Sequence, residues 1–207
     1  SNSPNKKIKI ITRAAKDGEK LTTLDGNERT LTSMNVLVCD EKGSLSLAGV
    51  MGGSESEVTD KTKNVLLEGA AWNFINIRRT AKQHNLPSEA SFRFSRGVHP
   101  ALSEMGVKRG LQLMAEWSGG KIAPGLVDEY PLKPKDSVVV VTPEDVKRLL
   151  GIDLTPEEIA ALLTRLDFKC EITNHPFGLR ITAPPHRMDI AEGVIGLADV
   201  LEEVARS

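Results

Sequence analysis

Residues 49–97 read GVMGGSESEVTDKTKNVLLEGAAWNFINIRRTAKQHNLPSEASFRFSRG, and the rest of the chain is organised around them. Gly49, Gly52 and Gly53 sit where an apolar strand candidate, residues 45–48, meets an acidic turn. Glycine lets the backbone bend sharply and brings bare amides close to a ligand, although a plain turn between strands uses the same residues. No Lys-Ser or Lys-Thr follows and no helix signal comes directly after, which excludes the phosphate-binding spacings. Glu68 lies between Val65-Leu66-Leu67 and Gly69-Ala70-Ala71-Trp72, so a carboxylate stands inside an apolar run and is expected to need a partner. An internal ion pair with Arg78, Arg79 or Arg93 and a ligand role both remain open on spacing alone. Ser88-Glu89-Ala90-Ser91 is a run of small residues after a proline, and beyond it Arg93 and Arg96 alternate with Phe92 and Phe94, a pattern that reads as a pocket rim.

Towards the N-terminus, residues 7–12, 20–24, 29–32, 36–40 and 45–48 predict short strands, with turns at Asp25-Gly26 and Lys42-Gly43. The first third is expected to be a β-meander. Towards the C-terminus, residues 73–85 predict a helix with Phe74, Ile77 and Ala81 on one face and Arg78, Arg79 and Lys82 on another. Such a basic face is either solvated or a nucleic-acid contact. A second helix starts near Pro100 and stops at Gly119-Gly120, with Val107, Leu111 and Met114 expected as its core stripe.

Residues 125–135 shift in composition, and a boundary near Pro134 divides the chain into domains 1–134 and 135–207. In the second, Thr142-Pro143-Glu144-Asp145 and Thr155-Pro156-Glu157-Glu158 each put a threonine cap before a proline, with an acid at the third helical position. Strands at 168–173 and 179–183, joined by His175-Pro176-Phe177-Gly178, complete a small α+β module. On the last helix, 197–205, Asp199, Glu202 and Glu203 fall at i, i+3 and i+4, with Asp189 upstream. Such an acidic face is either solvated or a site for a hard cation such as Mg²⁺. The four histidines have no paired ligand spacing and no nucleophile signature near them.

The chain has 207 residues, 40% hydrophobic, with a net charge of -1, which bounds it to one good core or two modest ones and argues against polyanion binding by the whole surface. Cys39 and Cys170 are far apart and expected to be buried free thiols of a cytosolic protein. No signal peptide or long apolar run is seen. Ser1-Asn2-Ser3 reads as an expression scar and the chain stops inside a helical pattern, so a larger parent is expected.

The run GVMGGSESEVTDKTKNVLLEGAAWNFINIRRTAKQHNLPSEASFRFSRGVHPAL resembles the editing domain of the bacterial phenylalanyl-tRNA synthetase beta subunit, nearly without gaps. TPEDVKRLLGIDLTPEEIAALLTRLDFKCEI, APPHRMDI and LADVLEEVAR resemble the small domain that follows it. The resemblance implies an α+β fold, a mixed-sheet editing domain with packed helices and then a small winged-helix-like domain. It implies a cytoplasmic α2β2 enzyme that charges tRNA(Phe) with phenylalanine using ATP, and whose beta subunit hydrolyses tRNA wrongly charged with tyrosine. Glu68 matches the reader of the tyrosine hydroxyl. Gly52, with Gly49, lies on the loop that approaches the ester. Ala90 matches the small residue of the pocket, with Ser88 beside it where many relatives have threonine.

The family's site also uses a histidine and a Thr-Asn pair upstream of this stretch, so part of the pocket is implied and weak or absent activity for the stretch alone. Asp189, Asp199, Glu202 and Glu203 match acids that bind Mg²⁺ at the contact with the alpha subunit, although the gap between Asp189 and Asp199 is longer than in many relatives. ATP is implied for the holoenzyme and not for this stretch. The competing reading is a noncatalytic scaffold that binds tRNA or another subunit.

Overall fold

The computed structural model describes residues 8–174 and 177–207; the Ser1-Asn2-Ser3 segment and the His175-Pro176 part of the expected turn lie outside them. Contacts divide the chain into one unit up to Pro124 and another from Gly125. That division falls in residues 119–137, which form neither helix nor strand and also include Pro134.

In the first unit the strands are β1 (Ile11–Ala14), β2 (Lys20–Thr22), β3 (Glu28–Thr30), β4 (Val36–Cys39), β5 (Ser44–Leu47) and β6 (Met51–Gly52). They do not form one meander. β2 and β3 make a hairpin of their own, while the main sheet runs β1-β4-β5-β6 with antiparallel neighbours. The reason is local: the Asp25-Gly26 turn closes on itself, with Gly26 N–H donating to Thr23 O (2.8 Å) and the Asp25 carboxylate accepting from Thr23 Oγ1 (2.6 Å). The first strand starts later than expected, because β1 pairs with β4 from Ile11 opposite Cys39, and Ile8 and Ile10 are left exposed. Leu21, Leu31, Leu37, Leu47, Val50, Ile77 and Leu86 fill the core.

Three helices follow. α1 (Phe74–Gln83) is capped by Asn73, whose Oδ1 accepts from the amides of Ile75 and Asn76. α1 is tied to the sheet through buried Asn35, whose Nδ2 donates to Thr80 Oγ1 (3.2 Å) and Gln83 Oε1 (3.0 Å). α2 (Glu89–Phe94) was not expected; a Ser88–Ser91 capping box turns the supposed rim into a helical turn and a half. α3 (Leu102–Ser118) ends at left-handed Gly119. Of its expected core stripe only Val107 is buried, while Leu111 and Met114 are half-buried. A segment without regular structure runs along α3 from Ser103 to Gly110, and it depends on Gly69: a Cβ there would stand 2.4 Å from Val107 Cγ2 and 2.9 Å from Ser103 O.

The second unit orders β7 (Val138–Val141), α4 (Pro143–Leu150), α5 (Pro156–Thr164), β8 (Lys169–Asn174), β9 (Phe177–Thr182) and α6 (Gly193–Arg206). Its antiparallel sheet runs β7-β9-β8. Thr142 and Thr155 form the expected capping boxes with Asp145 and Glu158. Val139, Val141, Val146, Ile159, Leu163, Leu179, Ile181, Val200 and Leu201 are packed in one core, so both units are α+β. Cys39 is buried and Cys170 half-buried, both as free thiols. No described helix is long and apolar enough to cross a membrane.

Candidate functional site

The glycine loop is joined to α2 by one hydrogen bond. Ser88 Oγ donates to Val50 O (2.6 Å) and also accepts from Ser91 N–H (3.0 Å), so the helix cap and the loop share a hydroxyl. Ala90, two residues on, is exposed on α2. Gly49 has φ +66, and a Cβ there would stand 2.6 Å from both Ile77 Cδ1 and Trp72 Cδ1. Only glycine fits, for backbone and packing together. Gly52 lies in β6 opposite Ser46, and its carbonyl accepts from Leu24 N–H (3.0 Å). The lack of a side chain at Gly49 thus has a packing reason. The contact with Trp72 also brings the end of the Glu68 segment to the loop.

Glu68 departs from its expected environment. It is exposed, and among the described residues it forms no hydrogen bond or ion pair. Of the three arginines considered for it, Arg93 pairs with Glu89, Arg78 Nη2 donates to Ser95 O (2.7 Å), and Arg79 is exposed on α1 without reaching it. Enough protein surrounds the carboxylate to push its pKa up by desolvation, with no cation to bring it down. An ionised carboxylate without a cation partner has both oxygens open to accept from a neutral O–H.

A separate cleft of about 380 Å³ is lined by residues including Arg13, Glu19, Lys20 and Glu28, and contains none of these candidates. Arg13 grips Glu19 through two bonds (2.7 and 2.9 Å), and that hydrogen bonding holds the Glu19 pKa down to about 2. Its charges are already satisfied. His84 is likewise structural: its Nε2 lies 3.2 Å from Asn35 Oδ1 and its carbonyl accepts from Arg29 Nη1 (2.6 Å), while burial and then Arg29 push its pKa down.

The acids near α6 are not one open face. Glu203 is 3% exposed and bridged on both oxygens, Oε1 by Arg187 Nη1 (2.8 Å) and Oε2 by Arg206 Nη2 (2.5 Å). Burial alone would raise its pKa, but the bonds from Arg206 and Arg187 outweigh that and hold it low. Asp189 is also gripped by Arg187, Nε to Oδ1 (2.9 Å) and Nη2 to Oδ2 (2.6 Å), which lowers its pKa. Asp199 is half-buried, with Oδ2 3.4 Å from Ala191 N, and Glu202 is exposed. As a donor set the four do not fit a magnesium ion: two are neutralised by arginine, and the described residues hold no group of three or more metal-ligating side chains arranged for one. Arg187, also set over the Phe168 ring (5.9 Å), is the residue the sequence reading missed. Its signal was an arginine two residues before Asp189.

Two family descriptions match the chain, the B3/4 domain over residues 5–119 and the tRNA synthetase B5 domain over residues 139–207. The phenylalanine–tRNA ligase beta subunit of Geobacter metallireducens is 41% identical over 198 residues, 96% of this chain and 24% of that protein. The protein of the same name from Latilactobacillus sakei is 41% identical over 197 residues, 95% of this chain and again 24% of that protein. A solved N-terminal fragment of the phenylalanyl-tRNA synthetase beta subunit from Pyrococcus horikoshii is 18% identical with a TM-score of 0.46, over 95% of this chain and 55% of that one, a likeness too loose to carry weight. The chain spans 24% of the length of these curated relatives.

Proposed function

The chain belongs to the B3/4 domain family, and on that premise we propose that its first unit edits tRNA, hydrolysing the ester of tRNA(Phe) wrongly charged with tyrosine. The observation that carries this reading is Glu68, a carboxylate without a partner among the described residues, on a segment packed closely along α3. A tyrosine phenol donates its O–H to that carboxylate, whereas a bound phenylalanine would cover the carboxylate without offering it a donor. A site built around a substrate hydroxyl discriminates strongly against the analogue lacking it.

In the reaction, water oxygen bonds to the ester carbonyl carbon, the bond from that carbon to the ribose oxygen breaks, and a water proton ends on the ribose. Backbone at Gly49 and Gly52 lies near the developing oxyanion in this reading, and such amides stabilise it without reorganisation. The Ser88–Val50 bond supports it by fixing α2, with exposed Ala90, against the same loop. The whole protein is proposed to be a cytoplasmic phenylalanine–tRNA ligase beta subunit that acts with an alpha subunit in an α2β2 enzyme, using ATP and Mg²⁺. In this reading residues 1–134 form the editing domain and residues 135–207 the small α+β domain that follows it. Of the four acids, Asp199 and Glu202 are the ones left open toward a shared Mg²⁺ at that contact, while Asp189 and Glu203 would first have to leave Arg187.

The test is deacylation of Tyr-tRNA(Phe) and Phe-tRNA(Phe) by the ligase that carries this chain, with Glu68→Ala beside the native residue. Loss of the tyrosine preference with aminoacylation intact supports editing. A native enzyme that leaves Tyr-tRNA(Phe) intact points instead to a noncatalytic scaffold.

A further inference from the structure

The outer faces of α1 and α2 carry a pattern that packing does not use. On α1, Phe74, Arg78 and Lys82 follow one another at i, i+4 and i+8 with Arg79 alongside, and all four are exposed while Ile77 and Thr80 face inward. On α2, Phe92 is 58% exposed, and the guanidinium of exposed Arg96 lies over its ring at 3.6 Å, the separation of a stack. Arg78 lies over the Phe74 ring at 5.8 Å and reaches across to the Ser95 carbonyl, so the two helices form one surface. The acid there, Glu89, is already paired with Arg93. Among the described residues four cations, Arg78, Arg79, Lys82 and Arg96, are therefore left without an opposing acid, on a chain whose net charge is only -1.

We infer that this α1–α2 face binds a single-stranded segment of RNA, its phosphates on the four cations and its bases stacked on the Phe74 and Phe92 platforms. The inference rests on the reading that the chain handles tRNA and adds to it the residues that grip the nucleic acid. Rings and guanidinium planes exposed together suit bases, which present a flat face whatever their identity. Phosphate accounts for the charge, and single strands free the base faces that a duplex keeps stacked. An acidic protein would satisfy the charge and leave the two rings unexplained.

The experiment measures binding of the chain to a tRNA transcript, a short single-stranded RNA and a duplex RNA over a range of salt concentrations. Phe74→Leu/Phe92→Leu is expected to weaken single-strand binding about tenfold at every salt concentration with the salt slope unchanged. Arg78→Gln/Arg79→Gln/Lys82→Gln is expected to lower that slope by about 2, from roughly 0.7 per lost phosphate contact. All five positions are exposed, so melting curves of the variants should match the parent. RNA binding unaffected by both sets overturns the inference, as does tighter binding of the duplex than of the single strand. Displacement of the RNA by an acidic peptide, with the leucine variants binding RNA normally, marks a protein-docking face and also overturns it. Failure of Glu68→Ala to alter tyrosine preference removes the editing reading and leaves this result standing. Normal editing with RNA binding indifferent to these variants removes this inference alone.

Discussion

Glu68 and Glu203 stand in similar runs, Val-Leu-Leu-Glu-Gly-Ala and Leu-Glu-Glu-Val-Ala, and meet opposite fates. Glu203 is buried and held by two arginines; Glu68 is exposed and held by none. The difference comes from the backbone that carries each. On α6 the buried residues include Gly196, Val200, Glu203 and Val204, a helical stripe on which Glu203 takes a core position and must be paired. Glu68 lies on an irregular segment whose neighbours Leu67 and Gly69 touch α3 while its own side chain is left outside. Apolar neighbours in sequence do not by themselves bury a charge.

The largest effect is expected where the pair is buried. Glu203→Ala removes the shared acceptor of Arg187 and Arg206 and is expected to destabilise the chain by about 3–5 kcal/mol in thermal or denaturant unfolding. Arg187→Met/Glu203→Leu should recover most of that loss. A cost below about 1 kcal/mol for Glu203→Ala would place the pair in the class of surface ion pairs and erase the contrast.

A smaller loss is expected at Ser88. Ser88→Ala removes a helix cap and the bond to Val50, and should cost about 1–2 kcal/mol by the same measurement. Ala90→Trp, at an exposed position beside it, should leave stability within about 0.5 kcal/mol, and under the proposed editing function its volume is expected to block hydrolysis of both charged tRNAs.

The two carboxylates should also respond to pH with opposite sign. Glu203 has a folded pKa below its ordinary 4.5, so its contribution is present above that value and is lost as pH falls through the folded pKa. Glu68 has a folded pKa above 4.5, so it favours the folded state most below that value and the benefit disappears as pH rises through the folded pKa. Unfolding measured against pH for Glu203→Gln and Glu68→Gln, each relative to the parent, should give difference curves of opposite slope. The smallest effect is expected from metal: with two of four acids held by Arg187, millimolar Mg²⁺ should leave the melting temperature of the chain unchanged, and a rise that saturates with Mg²⁺ would show a site assembled in the chain itself.

Much of the frame was legible from residues acting locally. Asn73, Thr142, Thr155 and Gly119 set helix ends through their own side chains or backbone, and those ends lie where the sequence puts them. Misreadings arose where a distant partner decides. Glu203 was grouped with Asp199 and Glu202 by spacing along one helix, but its partner Arg187 lies on the preceding turn. α2 was missed because Ser91, an unusual third residue for a capping box, replaces the customary Glu or Gln. Gly49 reads as a site for amide access, whereas Trp72 and Ile77 explain why it carries no side chain. Among the candidate residues, the link from Ser88 to the glycine loop needed the fold to be seen.

The central proposal, that Glu68 is kept free for a substrate hydroxyl, is tested most directly by Glu68→Ala in the full-length protein that carries this chain, with unfolding and deacylation measured on one preparation. The account predicts stability within about 0.5 kcal/mol of the parent, because no internal partner is lost, and a fall of at least about tenfold in the preference for Tyr-tRNA(Phe) over Phe-tRNA(Phe). A variant that melts much earlier yet keeps its tyrosine preference in the folded fraction would contradict it.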